Sequence, residues 1–311
     1  MRNPLSRHVD TANRDPMRAK GSAWRRRGFP RQHRWGPHQE RESLPTTERE
    51  WDLVVIGGGT AGMVGAKTAA HLGARVVLVE RSQPGGDCLW TGCVPSKSLL
   101  AAASAAAHAR NAGHLGVHAK SVAVDFARVR EHIRDAINTI APVDSPEALR
   151  DAGVEVVTGV ARFASPRTVS IDDGTTLRFR RALLATGASP TVPPVPGLRE
   201  AAPWTSDTIW DLAEVPRRLV VVGGGAIGSE LGQGFARLGA QVTMVESGAR
   251  ILSKEDPDAS AIVRRALETD GVRILTEHRL TRVTGSRRHG GTAARRHGDT
   301  REPRLRVGRA L

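Results

Sequence analysis

Two stretches of the chain carry the same order of apolar and polar positions. WDLVVIGGGTAGMVGAKTAAHLGARVVLVE, starting at Trp51, opens on a short apolar run, breaks at glycines, and continues with apolar residues at helical spacing. It closes on a second apolar run that ends in an acid. RRLVVVGGGAIGSELGQGFARLGAQVTMVE, starting at Arg217, repeats that order. Short apolar runs bounded by turn residues read as buried strands, and i, i+3, i+4 spacing reads as an amphipathic helix. Each stretch therefore predicts a strand, a tight turn, a helix and a second strand. The chain has 311 residues, room for about two domains. The expected division is a first α/β unit over 51–200 and a second over 201–284.

The glycines of the two repeats occupy matching places. Gly57, Gly59 and Gly62 form G-x-G-x-x-G in the first, and Gly223, Gly225 and Gly228 form it in the second. The closing acids, Glu80 and Glu246, each lie 23 residues beyond the first glycine. The first glycine permits the strand-to-helix turn, the second lets a pyrophosphate reach the backbone, and the third lets the helix pack close to the strand. The diphosphate then rests on free N–H groups at the helix N-terminus, and the acid receives ribose hydroxyls. Two such units predict two dinucleotides, one that stays and one that visits. Glu246 favours NAD(H), because a carboxylate there repels a 2′-phosphate; Arg250 nearby keeps NADP(H) open.

Charge changes the picture only at the ends. The net charge of +14 invites a nucleic-acid partner. Yet Met1 to Glu50 holds 12 Lys+Arg against 6 acids, and Arg279 to Leu311 holds 10 Arg against 2 acids. Trp51 to His278 balances at 24 basic and 24 acidic residues. Both ends lack apolar periodicity, so 1–50 and 285–311 read as basic, disordered extensions, and a nucleic-acid role is disfavoured. Neither end contains the apolar segment of a secretory signal, and no apolar run is long enough to span a bilayer.

Both cysteines, Cys88 and Cys93, lie in GGDCLWTGCVPSK, just behind the first repeat. Ser98 to Arg110 reads as a helix, with Pro95 tolerated near its first turn. The pair therefore sits at or just before a helix N-terminus, where the dipole lowers a thiol pKa. The spacing matches no metal site, so no metal is expected.

GGDCLWTGCVPSK resembles the redox-active segment of the class I pyridine nucleotide–disulfide oxidoreductases, the family of dihydrolipoamide dehydrogenase, glutathione reductase and mercuric reductase. GGGTAG resembles their FAD fingerprint, GVARF at Gly159 to Phe163 a strand beside the adenine, and ATGASP at Ala185 to Pro190 the strand-turn closing the FAD domain. GGGAIGSE resembles their NAD(P) fingerprint. The resemblance runs from about Trp51 to about Thr284. It implies an α/β fold of two Rossmann-like dinucleotide-binding domains, an FAD domain with an inserted NAD(P) domain, the second incomplete. It implies Cys93 as the charge-transfer thiol, Cys88 as the interchange thiol, and Lys97 near flavin N5 in a pair with Glu230. Glu80 would hold the FAD ribose, and Gly86, Ala161, Thr186 and Gly187 would line the FAD site.

The implied function is an FAD-dependent oxidoreductase. Electrons would pass from NAD(P)H through flavin to the Cys88–Cys93 pair and on to a small-molecule disulfide or a metal ion, or in reverse from dihydrolipoamide. The family is homodimeric, and its dimerisation domain carries a His-Pro-Thr…Glu segment that is not found in these residues. His71, His108, His114 and His278 have no such context and read as surface histidines. The chain is therefore expected to be truncated relative to the family. A catalytically incompetent flavoprotein fragment stays open as an alternative, as does a basic-tailed nucleic-acid-binding protein. The cycling thiols and the lack of an export signal imply a cytoplasmic protein.

Overall fold

The apolar runs become the parallel strands of two sheets. A computed structural model of the chain describes residues 50–284 and 304–309. The basic stretch before Glu50 lies outside the described residues, as does most of 285–311. Strand β1 (Glu50–Ile56) pairs in parallel with β2 (Val76–Glu80) on one side and with β6 (Thr176–Leu184) on the other. β3 (Val154–Thr158) adds to β2, again in parallel. β5 (Thr168–Ile171) and β4 (Ala161–Ser165) extend the sheet antiparallel beyond β6, giving the order β3-β2-β1-β6-β5-β4. Side chains alternate across this sheet. Val54, Val77 and Val79 face a cluster with Leu177 and Phe179, while Val55, Val76 and Leu78 face helix α1 (Thr60–His71) through Met63 and Ala66.

The second repeat builds a smaller parallel sheet from β7 (Arg218–Val222), β8 (Gln241–Val245) and β9 (Arg273–Leu275). Helix α6 (Ala226–Arg237) and helix α7 (Pro257–Thr269) connect its strands. β10 (His278–Thr284) then pairs antiparallel with β11 (Arg304–Arg309). β11 corrects the expectation of an aperiodic tail over 285–311. Leu305 packs against Leu198, Ala201, Leu280 and Val283, so residues 304–309 form a strand despite three arginines in six positions. An amphipathic strand needs only a few well-placed apolar side chains when a paired edge is offered, and the Arg-rich composition hides them.

Packing does not follow the division at residue 200. Helix α3 (Cys93–Asn111) and helix α4 (Phe126–Ile140) belong by position to the first unit. Their Leu99, Ala103 and Ile133 share one core with Phe235 of α6, Met244 of β8 and Leu267 of α7. The ring of Phe126 lies against Phe235, with centroids 6.3 Å apart. Helix α3, which begins at Cys93, is thus anchored on the second repeat. Phe235 is 1% exposed, so Phe235→Ala is expected to cost about 3–5 kcal/mol. Chemical denaturation followed by circular dichroism checks this.

Candidate functional site

At the first fingerprint, three separate chain segments meet. The Ala185 N–H donates to the Ile56 carbonyl at 2.8 Å, and the Gly85 N–H to the Gly58 carbonyl at 2.8 Å. Both contacts demand the absence of side chains. A Cβ on Gly57 (φ +105°) would lie 2.2 Å from the Ala185 oxygen, and one on Gly86 would lie 2.6 Å from the Gly59 Cα. Gly59 caps α1 without any side-chain hydrogen bond, so the helix's first N–H groups stay available. Glu80 closes the cradle: its Oε2 accepts the Gly58 N–H at 2.6 Å and its Oε1 the Ser82 N–H at 2.9 Å. Each carboxylate oxygen keeps a lone pair for a hydroxyl. Predicted residues Thr186 and Gly187 follow Ala185 beside this turn, in irregular chain directly after β6, which stops at Leu184. Ala161 begins β4.

The second fingerprint repeats this geometry in the open. Gly225 caps α6, again with no side-chain bond, and Glu246 accepts the Gly224 N–H at 2.8 Å and the Gly248 N–H at 2.6 Å. Among the described residues, nothing lies within 4 Å of a Cβ placed on Gly223 or Gly225. Gly228 packs as expected, since a Cβ there would meet the Gly223 oxygen at 2.3 Å. Arg250 turns away from this site. Its guanidinium donates to the carbonyls of Leu252, Ser253 and Glu255 at 3.2, 2.9 and 2.8 Å. The bonds of its own loop occupy it.

The cysteines lie between the two cradles. Cys88 is half-buried in the short helix α2 (Gly86–Trp90), and Cys93 is exposed as the first residue of the 19-residue α3. The Cys88 thiol is raised above its ordinary pKa, opposite to the lowering expected from a helix N-terminus. Its hydrogen bond with the Cys93 side chain is the largest cause, followed by burial and by the charge of a Cys93 thiolate. Hydrogen bonds from the Thr60 side chain and the Cys93 backbone act the other way. A thiol that donates to a neighbouring sulfur and is partly shielded from water holds its proton more tightly. Thr60, which lines a cleft with Cys88, was missed in the sequence; its place inside the fingerprint, directly after Gly59, is the signal that could have found it.

Lys97 and Glu230 meet as expected, Nζ to Oε1 at 2.6 Å, joining α3 to α6. The pair is 60% and 41% exposed, so its contribution to stability is small. A cleft of about 260 Å³ opens beside Cys88, walled mostly by Met63, Val64, Leu89, Val94 and Ile140, with Thr60, Lys67 and Asp144 also on its lining. His71, His108 and His114 are exposed and His278 is half-buried against the Thr276 carbonyl. No helix among the described residues is long and apolar enough to cross a membrane.

A family described as pyridine nucleotide-disulphide oxidoreductase matches residues 51–304, past the Thr284 limit of the expected resemblance. A mercuric reductase of Bacillus cereus is 37% identical over 227 residues, covering 73% of this chain and 36% of that protein. A dihydrolipoyl dehydrogenase of Geobacillus stearothermophilus is 36% identical over 231 residues, covering 73% and 48%. The solved structure of the HOCl-induced flavoprotein disulfide reductase RclA from Escherichia coli superposes with a TM-score of 0.64 at 27% identity, over 83% of this chain and 55% of that one. The chain thus spans between about a third and a half of the curated relatives it matches.

The raised Cys88 thiol gives a pH test. In the reduced protein, alkylation of Cys88 is expected to accelerate with pH through a midpoint above that of an ordinary thiol. Cys93→Ser removes the largest raising contact and the neighbouring charge, so the midpoint should fall. Peptide mass spectrometry across a pH series reads both.

Proposed function

The chain belongs to the pyridine nucleotide-disulphide oxidoreductase family, and on that premise we propose that it moves electrons from a nicotinamide nucleotide through FAD to the Cys88–Cys93 pair and on to a small-molecule acceptor. The observation that carries this reading is the placement of Cys88 in α2 and Cys93 as the first residue of α3, with Thr60 of the first fingerprint lining the same cleft as Cys88. When bound, FAD supplies two-electron transfer between the nicotinamide and the dithiol. The free N–H groups at the start of α1 would hold its pyrophosphate and Glu80 its ribose, with Gly57, Gly59, Gly62 and Gly86 leaving the backbone bare for that approach. Ala161, Thr186 and Gly187 complete the proposed lining.

The chain's own thiols carry the exchange. The Cys88 sulfur attacks a disulfide acceptor, whose leaving sulfur departs as a thiol with one proton. Cys93 then closes on Cys88 and releases the second acceptor thiol, leaving the pair oxidised and the acceptor reduced by two electrons. Because the Cys88 thiol is raised, its attack speeds up as pH rises. Lys97, held by Glu230, places a positive charge beside α3, where the family's flavin gains hydride. The apolar walls of the cleft at Cys88 favour an uncharged disulfide, or a dihydrolipoamide-type dithiol run in reverse, over a hydrated metal ion. Assembly as a homodimer and residence in the cytoplasm belong to the same proposal.

At the second cradle, Gly223, Gly225, Gly228 and Glu246 would take the nicotinamide nucleotide. The carboxylate accepts the Gly224 and Gly248 N–H groups at the ribose position, and Arg250 is spent on three carbonyls of its own loop, which keeps its charge from a 2′-phosphate. NADH is the proposed donor.

Anaerobic titration of the purified yellow protein with NADH tests the reading. Flavin absorbance should bleach while both cysteines become alkylatable, and Cys88→Ser or Cys93→Ser should bleach without passing electrons to a disulfide. Colourless protein, or bleaching with no new thiols in the unaltered chain, sinks it. NADH is expected to outpace NADPH by at least about tenfold, and Glu246→Ala to narrow that ratio. Stopped-flow rates with the two nucleotides settle the preference.

A further inference from the structure

The turn between the cysteines is held from outside by one indole. Trp210 sits in the single 3₁₀ turn Ile209–Asp211, in the segment linking β6 to β7. Its Nε1 lies 2.8 Å from the Thr91 carbonyl and 2.8 Å from the Ser206 carbonyl. Thr91 closes α2 and stands between Cys88 and Cys93. The rest of the turn is held locally. The Thr91 N–H donates to the Asp87 carbonyl at 3.0 Å, the Gly92 N–H reaches the same oxygen, and the Trp90 indole bonds the Pro84 carbonyl at 2.9 Å. The carbonyl of a helix's last residue has no partner within its helix, and for Thr91 the Trp210 indole supplies one. The Trp210 ring packs on the core that contains Phe235 and Met244, below the second fingerprint.

We propose that Trp210 is a positioning residue that holds the Cys88–Cys93 turn in its dithiol geometry and thereby sets the redox potential of the pair. Closing a disulfide draws the two sulfurs to about 2.05 Å, and the backbone between them must adjust. The Thr91 carbonyl lies within that backbone, so a bond made to it in the dithiol form resists closure. The thiols are free in this structure, and the indole bond is made in that state. This inference rests on the redox role proposed above for the pair.

The test replaces Trp210 with benzothienylalanine, which keeps the ring outline and puts sulfur in place of the N–H, and with phenylalanine. Trp204→Phe serves as control, since Trp204 lies in the same linker and packs on the same core. Each protein is equilibrated in glutathione buffers and its Cys88–Cys93 disulfide is quantified by alkylation. Loss of one hydrogen bond should favour the disulfide about fivefold, a potential lower by about 20 mV at 29.6 mV per tenfold. Trp204→Phe should leave it unmoved. An unchanged potential, a shift toward the dithiol, or an equal shift in the control overturns the inference. If no buffer forms the disulfide, the redox pair itself fails and takes this inference with it; a normal disulfide indifferent to Trp210 fails the inference alone. Should the phenylalanine variant not fold, the sulfur analogue decides. In the unaltered protein the Trp210 indole N–H resonance should move on oxidation, and a stationary one counts against the proposal.

Discussion

Helix α3 lies along helix α6, and the positions of Cys93 and Lys97 follow from that contact. Gly234 lies at the seam: a Cβ there would stand 3.3 Å from the Leu100 side chain and 3.5 Å from that of Leu99, close to ordinary contact. Phe235, Leu99 and Ala103 then share one buried core, and burial of this kind contributes about 25 cal/mol per Å² of apolar surface. One turn before Gly234, Glu230 meets Lys97. One turn before Lys97, α3 begins at Cys93. That helix pair therefore sets where Cys93 and Lys97 stand relative to the second glycine fingerprint. The ion pair on its surface is too exposed to hold the helices together; the apolar contact does that and the ion pair inherits its geometry.

What was legible in the sequence were features whose physics is local. The two glycine fingerprints could be read because each glycine answers to a neighbour a few residues away, as Gly62 answers to the Gly57 carbonyl. The Lys97–Glu230 pair was legible only through family resemblance, since nothing in the spacing of residues 133 apart predicts a contact. β11 was hidden because two apolar side chains among arginines carry no periodic signal, and the strand exists only where β10 and the 192–201 segment receive Leu305. Arg250 illustrates the same limit. Its nearness to Glu246 suggests a phosphate ligand, yet three carbonyls of its own loop satisfy the guanidinium first. The raised Cys88 pKa was hidden because its causes, the Cys93 side chain and burial, depend on how α2 folds against α3.

The two cradles share a plan and differ in enclosure, and that difference bears on what each can do. Around the first, Ala185 and Gly86 press on the fingerprint so closely that only bare backbone fits. Around the second, no described residue comes within 4 Å of a Cβ on Gly223 or Gly225, although the carboxylate and the N–H groups are set identically. Under the reading proposed above, that asymmetry suits a carrier held at the first cradle and a donor that visits the second. Trp210 joins the two, because the core on which its ring rests lies under the open cradle while its N–H reaches the thiol turn beside the closed one.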